Sequence, residues 1–254
     1  RLRLTAWDVA GRSSEIAARV LIETADKTFV SQLQTDASAT LAGHTLALAR
    51  QWREAEDGDE LDRKHDGDFG NWTLPLLATR LTSDQPATLA SGATAAWSEG
   101  ARVWLSVPAD LADASAGLTN LSFTLSTQNE RLGSDAGAPQ LWHPRFTTDQ
   151  GWTLQAHATE DHSTPDSLQR QGDRLYQQVR GLPWLPAAYT LSAPDGTRYA
   201  LDAQGAIGSV RFADGQTWLV SDAGIAAVGG DPGERIDFLR DSSGRIVRVT
   251  APEQ

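Results

Sequence analysis

The chain has no cysteine and no methionine in 254 residues. Without thiols there is no disulfide framework, no thiolate nucleophile, no zinc–thiolate site and no iron–sulfur cluster. Positive charge is scarce too, with 22 Lys and Arg against 33 Asp and Glu, a net of −11. That balance argues against nucleic acid or an anionic membrane surface as the main partner, because both recognise a clustered positive field. No run approaches the roughly 20 apolar residues a membrane helix needs, so membrane insertion is not expected. The opening residues do not read as a charged and then apolar leader, and a start at Arg1 without any methionine predicts a piece of a longer protein. Gly-x-Ser-x-Gly, Walker and Gly-x-Gly-x-x-Gly motifs are missing as well, which leaves hydrolase and nucleotide readings without a starting residue.

What the chain does have is one turn phrase written twice. Tyr199, Asp202, Gly205, Ile207 and Val210 recur as Phe238, Asp241, Gly244, Ile246 and Val249, so both stretches read aromatic-x-x-Asp-x-x-Gly-x-Ile-x-x-Val. Asp can bond the backbone that follows it and Gly can take a positive φ, so the polar centre turns the chain while the apolar ends form strands. The phrase predicts a β-hairpin used as a repeat unit. Trp218, Asp222 and Gly224-Ile225 make a third, looser copy between the two, and the region therefore reads as stacked antiparallel hairpins.

Upstream, Leu2, Leu4 and Ala6 alternate with Arg1, Arg3 and Thr5, the period-2 sign of a strand covered on one face. Val20–Thr24 and Lys27–Val30 read as a hairpin around Ala25-Asp26, in preference to a helix capped at Ser13-Ser14. Leu46, Leu48 and Arg50 alternate with Ala47, Ala49 and Gln51 after a turn containing Gly43. Residues 54–68 hold eight carboxylates and almost nothing apolar beyond Leu61, which predicts a solvated loop. Strand-like stretches follow from Ala101 to Thr250, broken by hairpin dipeptides such as Asp195-Gly196 and Asp214-Gly215. Many short strands and no long helical period place the chain in the all-β class. Three regions are expected: N-terminal strands of unplaced role at 1–40, a lead-in and capping β region at 41–186 with the acidic loop 54–68, and repeat hairpins at 187–254. The stretch from Leu81 to Pro186 is expected to be an irregular cap.

Taken in order, several segments resemble the Rhs, or YD-repeat, family of very large bacterial proteins. They are Leu46-Ala47-Leu48-Ala49-Arg50-Gln51-Trp52, Gly67-Asp68-Phe69-Gly70-Asn71-Trp72, Glu99 to Pro108, Asp195 to Tyr199, and Phe238 to Ile246. The resemblance touches roughly residues 41–250, and it departs from the family at Ala206, where the repeat usually has Arg. It implies a sheet that spirals into a hollow container, or a long extracellular structural or adhesive body. On that basis the chain is expected to be a non-enzymatic structural segment of a secreted or cell-surface bacterial protein, starting and capping a hairpin shell or fibre. Its partners would be the remainder of its own parent chain first, and a surface glycan or protein ligand second. Tyr199, Asp202, Gly205, Phe238, Asp241 and Gly244 would be its structural turn and aromatic positions.

Two other chemistries compete with this reading. His157 and His162 are five apart, which would set them on opposite faces of a strand, so they read as exposed loop residues and not as metal ligands. The acidic run Asp57 to Asp62 has calcium-type ligands but lacks the Asp-x-Asp-x-Asp-Gly order, so no cofactor is expected beyond weak calcium. Exposed indoles stack on sugar rings, which makes a carbohydrate-binding or adhesive module the second reading. Trp104, between Val103 and Leu105, and Trp218, at the aromatic place of a hairpin, are expected to pack inside. Trp184, flanked by Pro183 and Pro186, and Trp142, beside Pro144, are expected on loops as the exposed candidates.

Overall fold

The computed structural model describes residues 2–7, 13–18, 33–52, 68–69, 72–85, 95–131, 140–157, 159–160, 162, 167–231 and 233–252. The chain divides into two compact units, 1–31 and 32–254. In the first, β1 (Leu2–Trp7) pairs antiparallel with β2 (Ser13–Ala18), so the Ser13-Ser14 stretch opens a strand. The hairpin expected around Ala25-Asp26 lies outside the described residues, as does the acidic run from Glu54 to Gly67.

The second unit opens with a three-stranded sheet, β3 (Leu33–Leu41), β4 (His44–Trp52) and β5 (Trp72–Thr73), followed by a single helical turn, α1 (Pro75–Ala78). A large antiparallel sheet takes the rest. Its strands are β6 (Leu81–Ser83), β7 (Arg102–Pro108), β8 (Leu118–Arg131), β9 (Gln140–Thr147), β10 (Thr153–His157), β11 (Leu168–Gln171), β12 (Arg174–Gln177) and β13 (Ala188–Ser192), then β14 (Arg198–Asp202), β15 (Ile207–Arg211), β16 (Thr217–Ser221), β17 (Gly224–Ala227), β18 (Arg235–Arg240) and β19 (Ile246–Thr250). They pair in sequence order from β6 to β10 and from β13 to β19, with β10 joined to β13 and the β11–β12 hairpin branching from β9. The all-β expectation of stacked antiparallel hairpins holds.

Alternation fixes which face is which. Along β7, Val103, Leu105 and Val107 are buried while Arg102 and Trp104 are exposed, and β8 repeats this with Leu121, Phe123 and Leu125 inward. The inner face continues through Leu191, Tyr199, Leu201, Val210, Trp218 and Ile236, and the small sheet lays Ala39, Leu41, Leu46 and Leu48 into the same core. Burying each such side chain stabilises the fold by roughly 1.5–3 kcal/mol. The β3–β4 turn is pinned at its tip: the Trp218 indole N–H donates to the Leu41 carbonyl at 3.0 Å, and the His44 ring stacks on Phe212 at 3.7 Å.

Several expectations are corrected here. A division at 40/41 would cut the β3–β4 hairpin, and one at 186/187 would cut between β12 and β13 of a single sheet; contacts divide the chain only after Ser31. The stretch from Leu81 to Pro186 is not an irregular cap, since it supplies β6 to β12. Pro144 suggested a loop, yet it sits inside β9. On the side away from β8, the partner of β9 changes from β11, opposite Trp142, to β10, opposite Phe146, and Pro144 falls at the changeover. A proline is tolerated where no ladder needs its missing N–H.

The repeated phrase folds as two copies of one hairpin. Tyr199 stands opposite Val210 and Phe238 opposite Val249, each pair followed by a register shift one or two residues on, at Ala200/Leu201 and Leu239/Arg240. Asp202 Oδ1 accepts from the backbone N–H of Gln204 and Ala206 at 2.8 and 2.9 Å, and Asp241 Oδ1 from those of Ser243 and Arg245 at 2.8 and 3.0 Å. Gly205 and Gly244 both have φ +83°. The two hairpins belong to one sheet and are separated by β16–β17, the looser third copy.

Burial pushes the Tyr199 phenol well above its ordinary value, with the charges of Asp195 and Asp110 adding to the shift. The folded state thus favours the neutral ring, while an unfolded tyrosine ionises near pH 10. Stability should be fully present below that pH and be lost above it, as pH climbs toward the folded value. Tyr199→Phe is therefore expected to leave the neutral-pH melting temperature nearly unchanged and to flatten the alkaline decline, which a series of thermal melts through pH 10 would read. An identical alkaline limb in the variant would remove Tyr199 as its source.

Candidate functional site

Three hairpin turns, Asp202–Ala206, Asp222-Ala223 and Asp241–Arg245, close the same end of the repeat region, and residues 68–69 and 72–81 meet them as a strap. At one end, the Asp68 carbonyl accepts the Ile246 N–H at 2.6 Å, and Asp68 Oδ1 accepts from Arg240 Nη2 at 3.1 Å. Arg240 also donates from Nε to the Asp222 carbonyl at 2.8 Å and from Nη1 to the Gly244 carbonyl at 2.6 Å. One guanidinium thereby joins the turns of the second and third copies to the strap. The other carboxylate oxygen of Asp68 accepts the Leu74 N–H at 3.1 Å, just ahead of α1. At the far end the Leu81 N–H donates to the Gln204 carbonyl at 2.8 Å, in the turn of the first copy.

Asp68 was expected in a solvated loop and is instead the strap's anchor. Its side chain is 15 % exposed and that of Arg240 20 %, so the pair is shielded on most sides. Beside it the Arg50 guanidinium pairs with the Asp36 carboxylate and lies 5.2 Å from the Trp72 ring centre and 5.7 Å from that of Phe69. Hydrogen bonding to Asp36 holds the Arg50 pKa above its ordinary value. Cation–π contact from Arg50 thus joins β4 to Phe69 and Trp72, 19 residues or more further along the chain. Under α1 lies a small apolar recess of about 40 Å³, lined by Leu46, Leu48, Leu74, Leu76, Leu111 and Ile225.

The tryptophan expectations divide. Trp218 is buried as expected, but Trp184 is 1 % exposed, with Leu182 and Leu185 around it turned outward instead. Its backbone N–H donates to the Leu175 carbonyl at 3.0 Å, and its ring meets Trp97 edge-on at 5.8 Å, within a chain that continues to Phe146 and Tyr189. The flanking prolines read as loop signals; the aromatic cluster decides the burial. Trp142 lies in β9 rather than on a loop and is half-buried, with the Arg170 guanidinium 5.2 Å from its ring centre. Trp104, expected to pack inside, is 36 % exposed, because its neighbours Val103 and Leu105 take the inner face.

His157 and His162 were read as exposed and apart. His157 is buried, and both rings reach the Thr190 hydroxyl, at 2.8 and 3.3 Å, with ring centres 5.0 Å apart. The chain leaves β10 after His157 and bends back, with His162 at φ +57°, so strand periodicity did not apply across the interval. Among the described residues no group of three or more His, Asp or Glu is placed to hold a metal ion, and no helix is long and apolar enough to cross a membrane. Comparison with family models, with curated proteins and with solved structures gives no match.

Proposed function

We propose that this chain is a non-enzymatic structural segment of a large exported protein of the Rhs or YD-repeat type, in which it starts and caps a β-hairpin shell or surface fibre. The carrying observation is a difference between equivalent positions. Val210 in β15 faces Trp218 of the next strand and is 0 % exposed, whereas Val249 in β19 is 36 % exposed. β19 pairs with β18 on one side, and among the described residues no strand pairs with the other. Val249 thus waits for what Trp218 gives Val210: the aromatic of a following hairpin. The strap supports the capping half of the reading, since it ties all three turns from one side.

A chain in which residues 212–227 are repeated directly after Thr250 places a second Trp218-type strand in the phase it has after Arg211. Hydrogen exchange should then show the β19 amides slowed to the level of β15, because an added repeat unit stabilises its neighbour through their shared interface. Unchanged β19 exchange would mean that the sheet ends there by design, and the repeat reading would fall.

A further inference from the structure

We propose that the outer face of β6, β7 and β8 around Trp104 is a binding platform for an uncharged, β-linked oligosaccharide with gluco-type stereochemistry. Trp104 stands opposite Thr82 on one side and Ser122 on the other. Arg102 and Ser106 flank it along β7, and Asn120 and Thr124 stand opposite those two on β8. All but Ser106 are exposed. Among the described residues the indole is therefore the one large apolar group of this patch, ringed mainly by hydroxyl and amide groups.

That composition selects the ligand. A protein interface needs a larger apolar centre than a single indole. In a gluco-configured pyranose every ring hydroxyl is equatorial, so the ring faces carry only C–H groups and the polar groups point outward around the rim. A C–H face would lie on the indole while the rim hydroxyls meet Ser122, Thr82, Asn120 and Thr124. A β-1,4 linkage keeps successive rings in an extended, flat ribbon, which suits a sheet face.

Charge agrees with a neutral ligand. In a chain of net −11, Arg102 is the one charged group among the six neighbours. The adjoining carboxylate, Asp84, has Oδ1 occupied by the Arg102 N–H at 2.9 Å and the Gln85 side-chain amide at 3.1 Å. The patch is also ordered in advance: the Ser106 hydroxyl donates to Asn120 Oδ1 at 2.6 Å, so binding loses less side-chain freedom there.

The test is an NMR titration with cellotetraose, read at the Trp104 indole N–H in the parent and at the backbone amides of Thr82, Ser122 and Thr124 in the parent and every variant, with the α-linked maltotetraose as comparison. A saturable shift of these resonances with cellotetraose is expected. Affinity should weaken by at least about tenfold in Trp104→Ala, a loss of roughly 1.4 kcal/mol. Trp104→Phe, which keeps a smaller ring, should bind in between, and Trp142→Ala should bind as the parent does. Thermal melts of the Trp104 variants near the parent value would show that the sheet persists. No saturable shift at millimolar cellotetraose, equal binding of maltotetraose, or full binding by folded Trp104→Ala would each overturn the proposal.

Discussion

Gly205→Ala is expected to destabilise the protein by about 4 kcal/mol or more, a magnitude reserved for a few named mechanisms, while Gly244→Ala costs only about 1–2 kcal/mol. The two glycines hold the same place in the same hairpin at the same φ of +83°, so the backbone penalty for an L side chain is common to both. Their surroundings differ. A Cβ on Gly244 would meet nothing within 4 Å, whereas one on Gly205 would lie 2.5 Å from Leu81 Cβ and 2.9 Å from Leu81 Cα, and closer still to its nitrogen. Backbone cannot step aside as a long side chain can, so the alanine must push β6 away from the turn. The Leu81 N–H to Gln204 bond would go with it, at about 1 kcal/mol. Urea unfolding of both variants checks this, and equal losses would mean that Leu81 does not press on the turn. The comparison separates conformational strain from the contact the strap makes.

How far the sequence disclosed this arrangement depends on which interactions are local. The Asp and Gly of each phrase act within five residues, so Asp202, Gly205, Asp241 and Gly244 were legible as turns, and the strand-like stretches between Ala101 and Thr250 fell on β7, β8, β13 to β16, β18 and β19. Trp104 needed only that same rule applied strictly. Flanked by two inward residues, it had to face outward, and its hydrophobicity misled where its parity did not. Trp184 was beyond local reading, because its burial comes from Trp97, 87 positions away, and its proline neighbours carry the opposite signal. The His157–His162 encounter depends on a bend that strand geometry does not anticipate. The strap was half legible: the order of the Arg50 and Asp68-Phe69 segments could be read, but the pairing of Asp68 with Arg240, across 172 positions, could not. A charge inside an acidic run looks solvated until its partner is known.

That partner supports the second large effect, in which Asp68→Ala and Arg240→Ala each destabilise the protein by about 3–5 kcal/mol, as removal of one member of a shielded ion pair does. Losing Arg240 leaves the Asp68 carboxylate with the Leu74 N–H as its backbone donor; losing Asp68 leaves a guanidinium held by two turn carbonyls, whose nearest other counter-charge among the described residues is Asp222 at 3.9 Å, with its side chain fully in solvent. Arg235 and Asp237 provide the control. Their Nε–Oδ2 distance is also 3.1 Å, but their side chains are 58 % and 49 % exposed, so Arg235→Ala should change stability by no more than about 1 kcal/mol. The same distance with different solvent access makes burial the variable. The double variant Asp68→Ala/Arg240→Ala should fall short of the sum of the singles, with a coupling of about 1–3 kcal/mol in denaturant unfolding. Hydrogen exchange should place the loss in residues 72–81 and β19 before it reaches β7 and β8, because the strap opens without the core. Additive singles, or variants as mild as Arg235→Ala, would mean that Asp68 and Arg240 are neighbours without coupling and that the apolar contacts of α1 alone hold the strap in place.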